Sequence, residues 1–425
     1  MSYIFLNPIK KCLREQSQID IESVIVLLFI LSHPLRYISG ALFNELLGIE
    51  GVNIFLPIIL LIGITSFIKL SKDQFQYKVN TNATWIIPIV FLFATTIIIN
   101  LYSLEEPNSW LRSIFLDLYI PTVLLFIRID STKINKYIDP LLKIFVFISI
   151  FLIIYKIFIF QSRFDLIFAR QYLAFGNSIP TTLSIENQVA NSITDARIMG
   201  VILLLIWLNI KLNSLIKVIL SIPPLGFILL LGNRQSIVAF ILVLLFFAGK
   251  PLFKIIVTIS ILISFYIAQL INNYFLDNSV IIFDRGIESQ GRTQLLSYYG
   301  EAVSESLTNI NLLGEGIGGF SRNFVSNHFP YPHNIFVELI YDFGIISFAL
   351  FSIITAIFIL HSYLHFNNIK ANPIKKYIVS LTWFHLIIAQ FSGNLKLNMM
   401  LMSLYIFYFT FCLTTKNLYK RRHVY

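Results

Sequence analysis

Three short segments of the chain carry side chains that can bind a phosphate or accept a proton, and each borders an apolar stretch. Arg234 lies in LLLGNRQSIVAF, Arg292 in QGRTQLL and His333 in YPHNIFVELIYDFG. A guanidinium group binds two phosphate oxygens through parallel N–H bonds. An imidazole titrates near neutral pH, so it can take the proton of a hydroxyl nucleophile. These residues are therefore candidates for anion binding and general base catalysis.

Arg234 occupies a turn of a few residues between two apolar stretches. The second of these stretches has only about 15 residues before Lys250, fewer than the ~17 to 25 of an ordinary membrane span. At 1.5 Å per residue it covers ~22 Å, against a hydrocarbon core of ~30 Å. We therefore expect Arg234 at a helix N-terminus within the membrane, where it suits anion binding. The alternative is an arginine that snorkels to the interface.

The polar residues after His333 repeat with a helical period. Asn334, Glu338 and Asp342 stand at positions i, i+4 and i+8, so they share one helix face, which should point into a helical bundle. Pro332 and Asn334 also suit a plain helix start. Glu338 and Asp342 either orient neighbouring groups or form hydrogen bonds between helices.

A polar segment before His333 adds further candidates. Apolar residues three or four apart over 293–307, including Tyr299, predict a short amphipathic helix that begins near Arg292. Arg285 and Arg322 flank it, and a polar loop normally holds solvated arginines. The glycines of 314–319 predict a flexible turn. They match GxGxxG, but no βαβ unit surrounds them, which argues against a dinucleotide site.

The composition indicates the fold that must position these residues. Of 425 residues, 56% are hydrophobic and 13% are charged, which indicates a polytopic membrane protein. The apolar runs do not alternate with polar residues, so they predict an all-α bundle of about 12 spans and not a barrel. The stretches lie near residues 21–39, 52–70, 84–104, 111–129, 139–160, 196–212, 215–231, 235–249, 251–272, 334–360, 375–392 and 397–415.

The chain has a net charge of +10, and the distribution of its positive residues agrees with the predicted spans. Lysines and arginines cluster before the first span, after the last and after alternate spans between them, which is the positive-inside pattern and places both termini in the cytoplasm. The basic excess therefore does not indicate a nucleic-acid partner. We expect one integral membrane domain over 1–425, with external loops at 161–195 and 273–333. The cysteines and histidines show no metal-ligand spacing.

The order of these motifs resembles the O-antigen polymerase and O-antigen ligase superfamily of bacterial envelope glycan assembly. The resemblance rests on GNR between two spans, a large external loop with an arginine and NLLGEGIGGF, and PHNIFVELIYDFG at the start of the next span. It covers residues 226–350, and the rest of the chain agrees only in hydropathy and span number. It implies a GT-C-like glycosyltransferase in the bacterial inner membrane, with its active site on the periplasmic side.

The resemblance also implies the substrates. Such enzymes use a glycan on undecaprenyl diphosphate as donor and a glycan hydroxyl as acceptor, with neither a nucleotide sugar nor a metal. By position, Arg234 and Arg292 look like the essential arginines of the family and His333 like its histidine. Five further residues are expected to contact substrate: Arg285, Asn334, Glu338, Arg322 and Tyr298. Membrane lipids and a polysaccharide co-polymerase are the other expected partners.

Several alternatives stay open on the sequence. The tryptophan that often follows the loop arginine in the family is missing after Arg292. The assignment of the second essential arginine therefore stays open between Arg292 and Arg285. Arg163, Arg170 and Arg197 of the first loop match no motif but can also bind glycan or diphosphate. The resemblance favours a polymerase, because polymerases prevail among the variable, Ile-, Asn- and Phe-rich members of the superfamily, and a ligase is the runner-up. The two share the site and differ in acceptor, which the sequence does not reveal. A secondary transporter also suits about 12 spans, but usually shows repeated halves and broken helices at mid-membrane.

Overall fold

The computed structural model of the chain describes residues 86–101, 111, 114, 118, 120–123, 131–160, 196–230, 234–247, 290–324, 334–391 and 395–412. Within these ranges every regular element is a helix and none is a strand, so the all-α prediction is confirmed there. Three predicted spans, most of a fourth and the loop 161–195 lie outside the described residues. So do four residues singled out above, which are Arg163, Arg170, Arg285 and His333. The backbones of Arg234 and Arg292 are described, but their side chains are not.

Each apolar stretch that the structure describes is helical, although some stretches contain more than one helix. They are α1 (Ile86–Asn100), α2 (Ile120–Val123), α3 (Ser131–Phe160), α4 (Ala196–Leu208), α5 (Ser214–Leu230), α6 (Arg234–Phe247), α7 (Gln290–Thr308), α8 (Gly319–Phe324), α9 (Ile335–Asp342), α10 (Gly344–Leu364), α11 (Phe366–Ala371), α12 (Pro373–Ala389), α13 (Leu395–Asn398) and α14 (Met400–Cys412). Among them α10, with 21 residues, alone has both the length and the apolar composition to cross a membrane. The other strongly apolar helices are shorter.

The predicted stretch 334–360 is two helices and not one. The break between α9 and α10 falls at Phe343 and Gly344, and Gly344 has a φ of +83°, which breaks the helical path. A Cβ atom on Gly344 would lie 2.3 Å from the carbonyl oxygen of Leu312. A distant loop therefore packs backbone to backbone against this break, which only glycine permits.

Polar contacts between helix ends show which way the helices run. Lys376 at the start of α12 donates to the carbonyl of Leu208 at the end of α4. Lys217 in α5 donates to the carbonyl of Trp207 at 3.1 Å. The start of α12 and the first half of α5 thus lie beside the end of α4. The end of the bundle that contains Lys217 and Lys376 is called the lysine end below.

The opposite end brings the starts of α4 and α6 together. The backbone of Gly200 in α4 packs against the ring of Phe384 in α12, and a Cβ atom there would also lie 3.5 Å from the Cβ of Ser236 in α6. Gly200 and Ser236 each stand in the first two turns of their helix. It follows that α4 and α6 run in the same direction, with α12 antiparallel to both.

Replacement of Gly344 by alanine tests the backbone contact at the break. The new Cβ atom would clash with Leu312 and would hold alanine at a positive φ, a strain on the order of 1–3 kcal/mol. We expect a lower midpoint of thermal unfolding for the purified protein in detergent. Gly300→Ala is the matched control, because nothing lies within 4 Å of its added Cβ in α7. Equal midpoints for Gly344→Ala and wild type would contradict the contact.

Candidate functional site

Asn334 begins α9 and joins it to the end of α12. Its Oδ1 accepts hydrogen bonds from the backbone N–H groups of Phe336 at 2.9 Å and Val337 at 3.2 Å. Its Nδ2 donates to the carbonyl of Gln390 at 3.4 Å. Asn334 is therefore the N-cap of α9, the plainer of the two roles that its sequence position allowed. A role in substrate binding stays a prediction.

The start of α6 reaches the same turn. As predicted, a helix begins at Arg234. The next residue, Gln235, donates from Nε2 to the carbonyl of Phe391 at 2.5 Å. Gln390 and Phe391 are consecutive, so the starts of α6 and α9 are tied to neighbouring carbonyls. The two tied side chains belong to the residues that follow Arg234 and His333 in the sequence.

Glu338 lies one turn further along α9, and its carboxylate is buried, with 2% of the residue exposed. Its Oε2 accepts a hydrogen bond from the backbone N–H of Leu395 at 2.6 Å. A buried charge is costly unless it is hydrogen-bonded, and this bond also satisfies an N–H at the start of α13. Glu338 therefore positions the segment after α12 against α9.

Asp342 ends α9 and holds a loop. Its Oδ2 accepts from the N–H of Gly318 at 3.0 Å and its Oδ1 from the N–H of Phe320 at 2.8 Å. Like Glu338 it is 2% exposed, so the prediction that these two carboxylates point inward is confirmed. Their described partners are backbone N–H groups of loops and helix starts. Polar side chains of other spans are not among them.

Residues 311–320, called the glycine loop below, contain the predicted turn, and hydrogen bonds hold it to α9. The N–H of Glu315 donates to the carbonyl of Tyr341 at 2.9 Å, and that of Gly316 to the carbonyl of Asp342 at 3.0 Å. Gly314, Gly316 and Gly318 all have positive φ angles. The glycines thus allow a tight path along α9, and they do not leave the loop free.

Arg322 supports the glycine loop from its exposed side. Its Nη1 donates to the carbonyl of Ile317 at 2.9 Å and its Nη2 to the carbonyl of Glu315 at 3.0 Å. The half-buried Tyr298 packs its ring 6.1 Å from that of Phe324. The contacts of both predicted substrate-binding residues therefore hold this part of the chain together. Contact with a substrate stays a prediction for each.

The first turn of α7 contains Arg292, as predicted, because the helix begins at Gln290. One contact joins α7 to α9, and a second joins the residues after α7 to the start of α10. The hydroxyl of Tyr341 donates to Oε2 of Glu305 at 3.4 Å, and the N–H of Ile345 donates to the carbonyl of Asn311 at 3.0 Å, just after α7 ends. Both α7 and α9 thus end at the start of α10. Within the described ranges no group of three His, Cys, Asp or Glu residues is placed to hold a metal.

Two substitutions of Glu338 test whether it positions the chain. Glu338→Leu would leave the N–H of Leu395 buried and unpaired, at a cost of about 1–3 kcal/mol. Glu338→Gln keeps an oxygen acceptor, so we expect an unfolding midpoint near that of wild type. Glu301→Gln, on the exposed face of α7, controls for loss of a carboxylate. Equal unfolding midpoints for Glu338→Leu and Glu338→Gln would show that the hydrogen bond from the N–H of Leu395 to Glu338 does not stabilise the fold.

Comparison of the chain with protein-family models and with curated protein sequences found no match.

Proposed function

We propose that the chain is a surface-polysaccharide polymerase of the GT-C-like type. It transfers a glycan from undecaprenyl diphosphate to a hydroxyl of another lipid-linked repeat unit. One observation carries the proposal: Gln235 and Asn334, the residues after Arg234 and His333, bind the consecutive carbonyls of Phe391 and Gln390. The residues that follow the phosphate-binding arginine and the base in the sequence thus begin two helices that meet at one turn.

The proposal places the chain in the inner membrane, with about 12 spans, and the described helices are compatible with a membrane bundle. Apolar helices run antiparallel between a lysine end and the end that carries Gln390 and Phe391. By the positive-inside rule the lysine end is cytoplasmic, so the site lies on the periplasmic side. With 14 residues, α6 is about 21 Å long, shorter than a hydrocarbon core of ~30 Å. Arg234 then lies below the periplasmic surface, at the depth of a lipid headgroup.

The reaction forms one glycosidic bond and breaks one sugar–phosphate bond. The acceptor hydroxyl oxygen attacks the anomeric carbon of the donor glycan, and His333 accepts the hydroxyl proton. The bond from the anomeric carbon to the diphosphate breaks, and its electron pair leaves with undecaprenyl diphosphate. Direct attack inverts the anomeric carbon. The proton passes from His333 to solvent or to the released diphosphate.

Arginines suit the leaving group because its negative charge grows as the bond breaks. A fixed guanidinium group stabilises such developing charge without the reorganisation that water needs. Arg234 at the start of α6 and Arg292 in the first turn of α7 are both positioned by helices that pack at α9 or α12. Arg285 remains the alternative to Arg292. The energy of the donor diphosphate bond makes a nucleotide sugar unnecessary.

Deletion and complementation in the source strain test this function, with the surface glycan separated on a gel. We expect the deletion to leave core with a single repeat unit. Wild type should restore a ladder, and Arg234→Ala or His333→Ala should not, because each removes a group needed in the transition state. Bare core with lipid-linked polymer accumulating would indicate a ligase. A ladder with both residues replaced would contradict this mechanism and favour a transporter.

Two matched variants show whether a loss is specific. His365→Ala removes a histidine from the end of the bundle at which α10 ends, and Lys211→Gln removes an exposed cation at the lysine end. Both should restore the ladder. Membrane fractions probed for the protein should show similar amounts of every variant, which separates a failed reaction from failed insertion.

A further inference from the structure

A groove along the exposed face of α7 has no part in the proposed mechanism. Its volume is about 580 Å³, within the ~300–1,000 Å³ of small-molecule sites. Its polar lining consists of two carboxylates, two hydroxyls and one amide, which belong to Glu301, Glu305, Ser304, Thr308 and Asn309. The first four of these stand at positions i, i+3, i+4 and i+7, so one face of α7 presents them together. Such a set of acceptors and donors suits a ligand with many hydroxyl groups.

One of these carboxylates is held in place by side chains of two other helices. The hydroxyl of Tyr341 in α9 donates to Oε2 of Glu305 at 3.4 Å, and it accepts from Nδ2 of Asn323 in α8 at 2.8 Å. A carboxylate can accept about four hydrogen bonds, so one that binds a hydroxyl can still accept others. Because these contacts restrict Glu305 before a ligand arrives, binding to it costs little conformational entropy. Glu305 is therefore a prearranged acceptor.

An aromatic ring forms the apolar wall of the groove. The half-buried Phe324 has its ring centre 5.4 Å from that of Phe320 and 5.2 Å from that of Tyr341. This packing fixes the ring at the end of α8, beside the polar face of α7. A sugar ring has an apolar face of C–H groups and a rim of hydroxyls, so it can contact an aromatic ring and polar side chains together. The mixed lining therefore indicates a carbohydrate better than a metal ion or an apolar ligand.

The groove lies further along the helix whose first turn contains Arg292. Glu301 stands nine residues after Arg292, which is about 13 Å along the axis of α7. Asn309, just past the end of α7, lies about 12 Å beyond Glu301. In the proposed function Arg292 binds the diphosphate to which the glycan is attached. A glycan that extends from there along α7 reaches the groove with sugar units remote from the bond that reacts.

We propose that this groove binds sugar units of the lipid-linked glycan and selects sugars without negative charge. The inference rests on the proposed function and adds to it a binding surface for the glycan. Neutral sugars can donate hydroxyl hydrogens to Glu301 and Glu305, and an amine-bearing sugar gains an ion pair with either. A uronic acid would place a third carboxylate beside these two, and like charges repel. Neutral or amine-bearing sugars are therefore the expected ligands.

A glycine in the groove allows it to be blocked. Gly300 also lines the groove, and nothing lies within 4 Å of a Cβ atom added to it. Gly300→Trp therefore fills the groove with an indole while the contacts behind α7 stay as they are. Gly226→Trp in α5 is the matched control, because an added Cβ atom there also meets nothing within 4 Å. Unfolding midpoints near that of wild type should show that both variants fold.

Equilibrium dialysis with the purified full-length protein in detergent measures the binding. The probe is the oligosaccharide released by mild acid from lipid-linked repeat units of the source strain, so it carries neither lipid nor phosphate. We expect Gly300→Trp and Glu301→Ala each to weaken its binding at least about tenfold, through the blocked groove and through lost hydrogen bonds to a charged group. Gly226→Trp should bind the probe as wild type does.

The same oligosaccharide with its primary hydroxyls oxidised to carboxylates tests the selectivity. Wild type should bind the oxidised probe at least about tenfold more weakly than the native probe. Glu301→Ala should reduce this ratio, because one of the two repelling charges is gone. Equal binding of the two probes by wild type would overturn the proposed selectivity.

Other outcomes separate the groove from the function on which it rests. Equal affinities of wild type and Gly300→Trp, or no binding of the native probe by wild type, would overturn the groove. Loss of the ladder in Arg234→Ala and His333→Ala would then still support the polymerase. Binding that Gly300→Trp abolishes, with a ladder restored by Arg234→Ala and His333→Ala, would support the groove and contradict the mechanism. Should Gly300→Trp fail to fold, Glu301→Ala decides, and an unchanged affinity of that variant would overturn the proposal.

Discussion

The short helix α9 depends on buried carboxylates that must find hydrogen-bond donors. Asp342 at its end receives two backbone N–H groups of the glycine loop, and Glu338 in its middle receives that of Leu395. Without these bonds each carboxylate would carry a desolvation penalty of several kcal/mol. The glycine loop and the segment that contains Leu395 are therefore both held to one helix of 8 residues.

This arrangement gives α9 a structural role that differs from that of α10. A single continuous helix would carry its polar residues into the apolar layer, whereas the break at Gly344 lets α9 pack among loops and leaves α10 apolar. The glycine loop fills the break by a backbone contact that leaves no room for a side chain at Gly344. The proposed reaction would use such a rigid polar platform, because reacting groups must be held within a fraction of an ångström.

The sequence predicted the helices better than their contacts. Hydropathy located the described apolar helices, and local rules placed helix starts at Arg234, Asn334 and near Arg292. The break at Gly344 was missed because the cause is a loop about 30 residues earlier, and apolar periodicity continues across it. The contact between Gln235 and Phe391 spans 156 residues and has no local signal. The glycines of the loop were correctly located, but a glycine allows a tight hydrogen-bonded path as readily as a flexible one.

Reconstitution of the transfer reaction tests the central claim most directly. The purified protein in lipid vesicles is mixed with the lipid-linked repeat unit extracted from the deletion strain, with a chelator present and no nucleotide sugar. We expect longer lipid-linked glycans and one free undecaprenyl diphosphate for each unit added. Unchanged lipid-linked substrate would contradict it. Transfer that occurs only when lipid A core is added would replace the polymerase by a ligase at the same site.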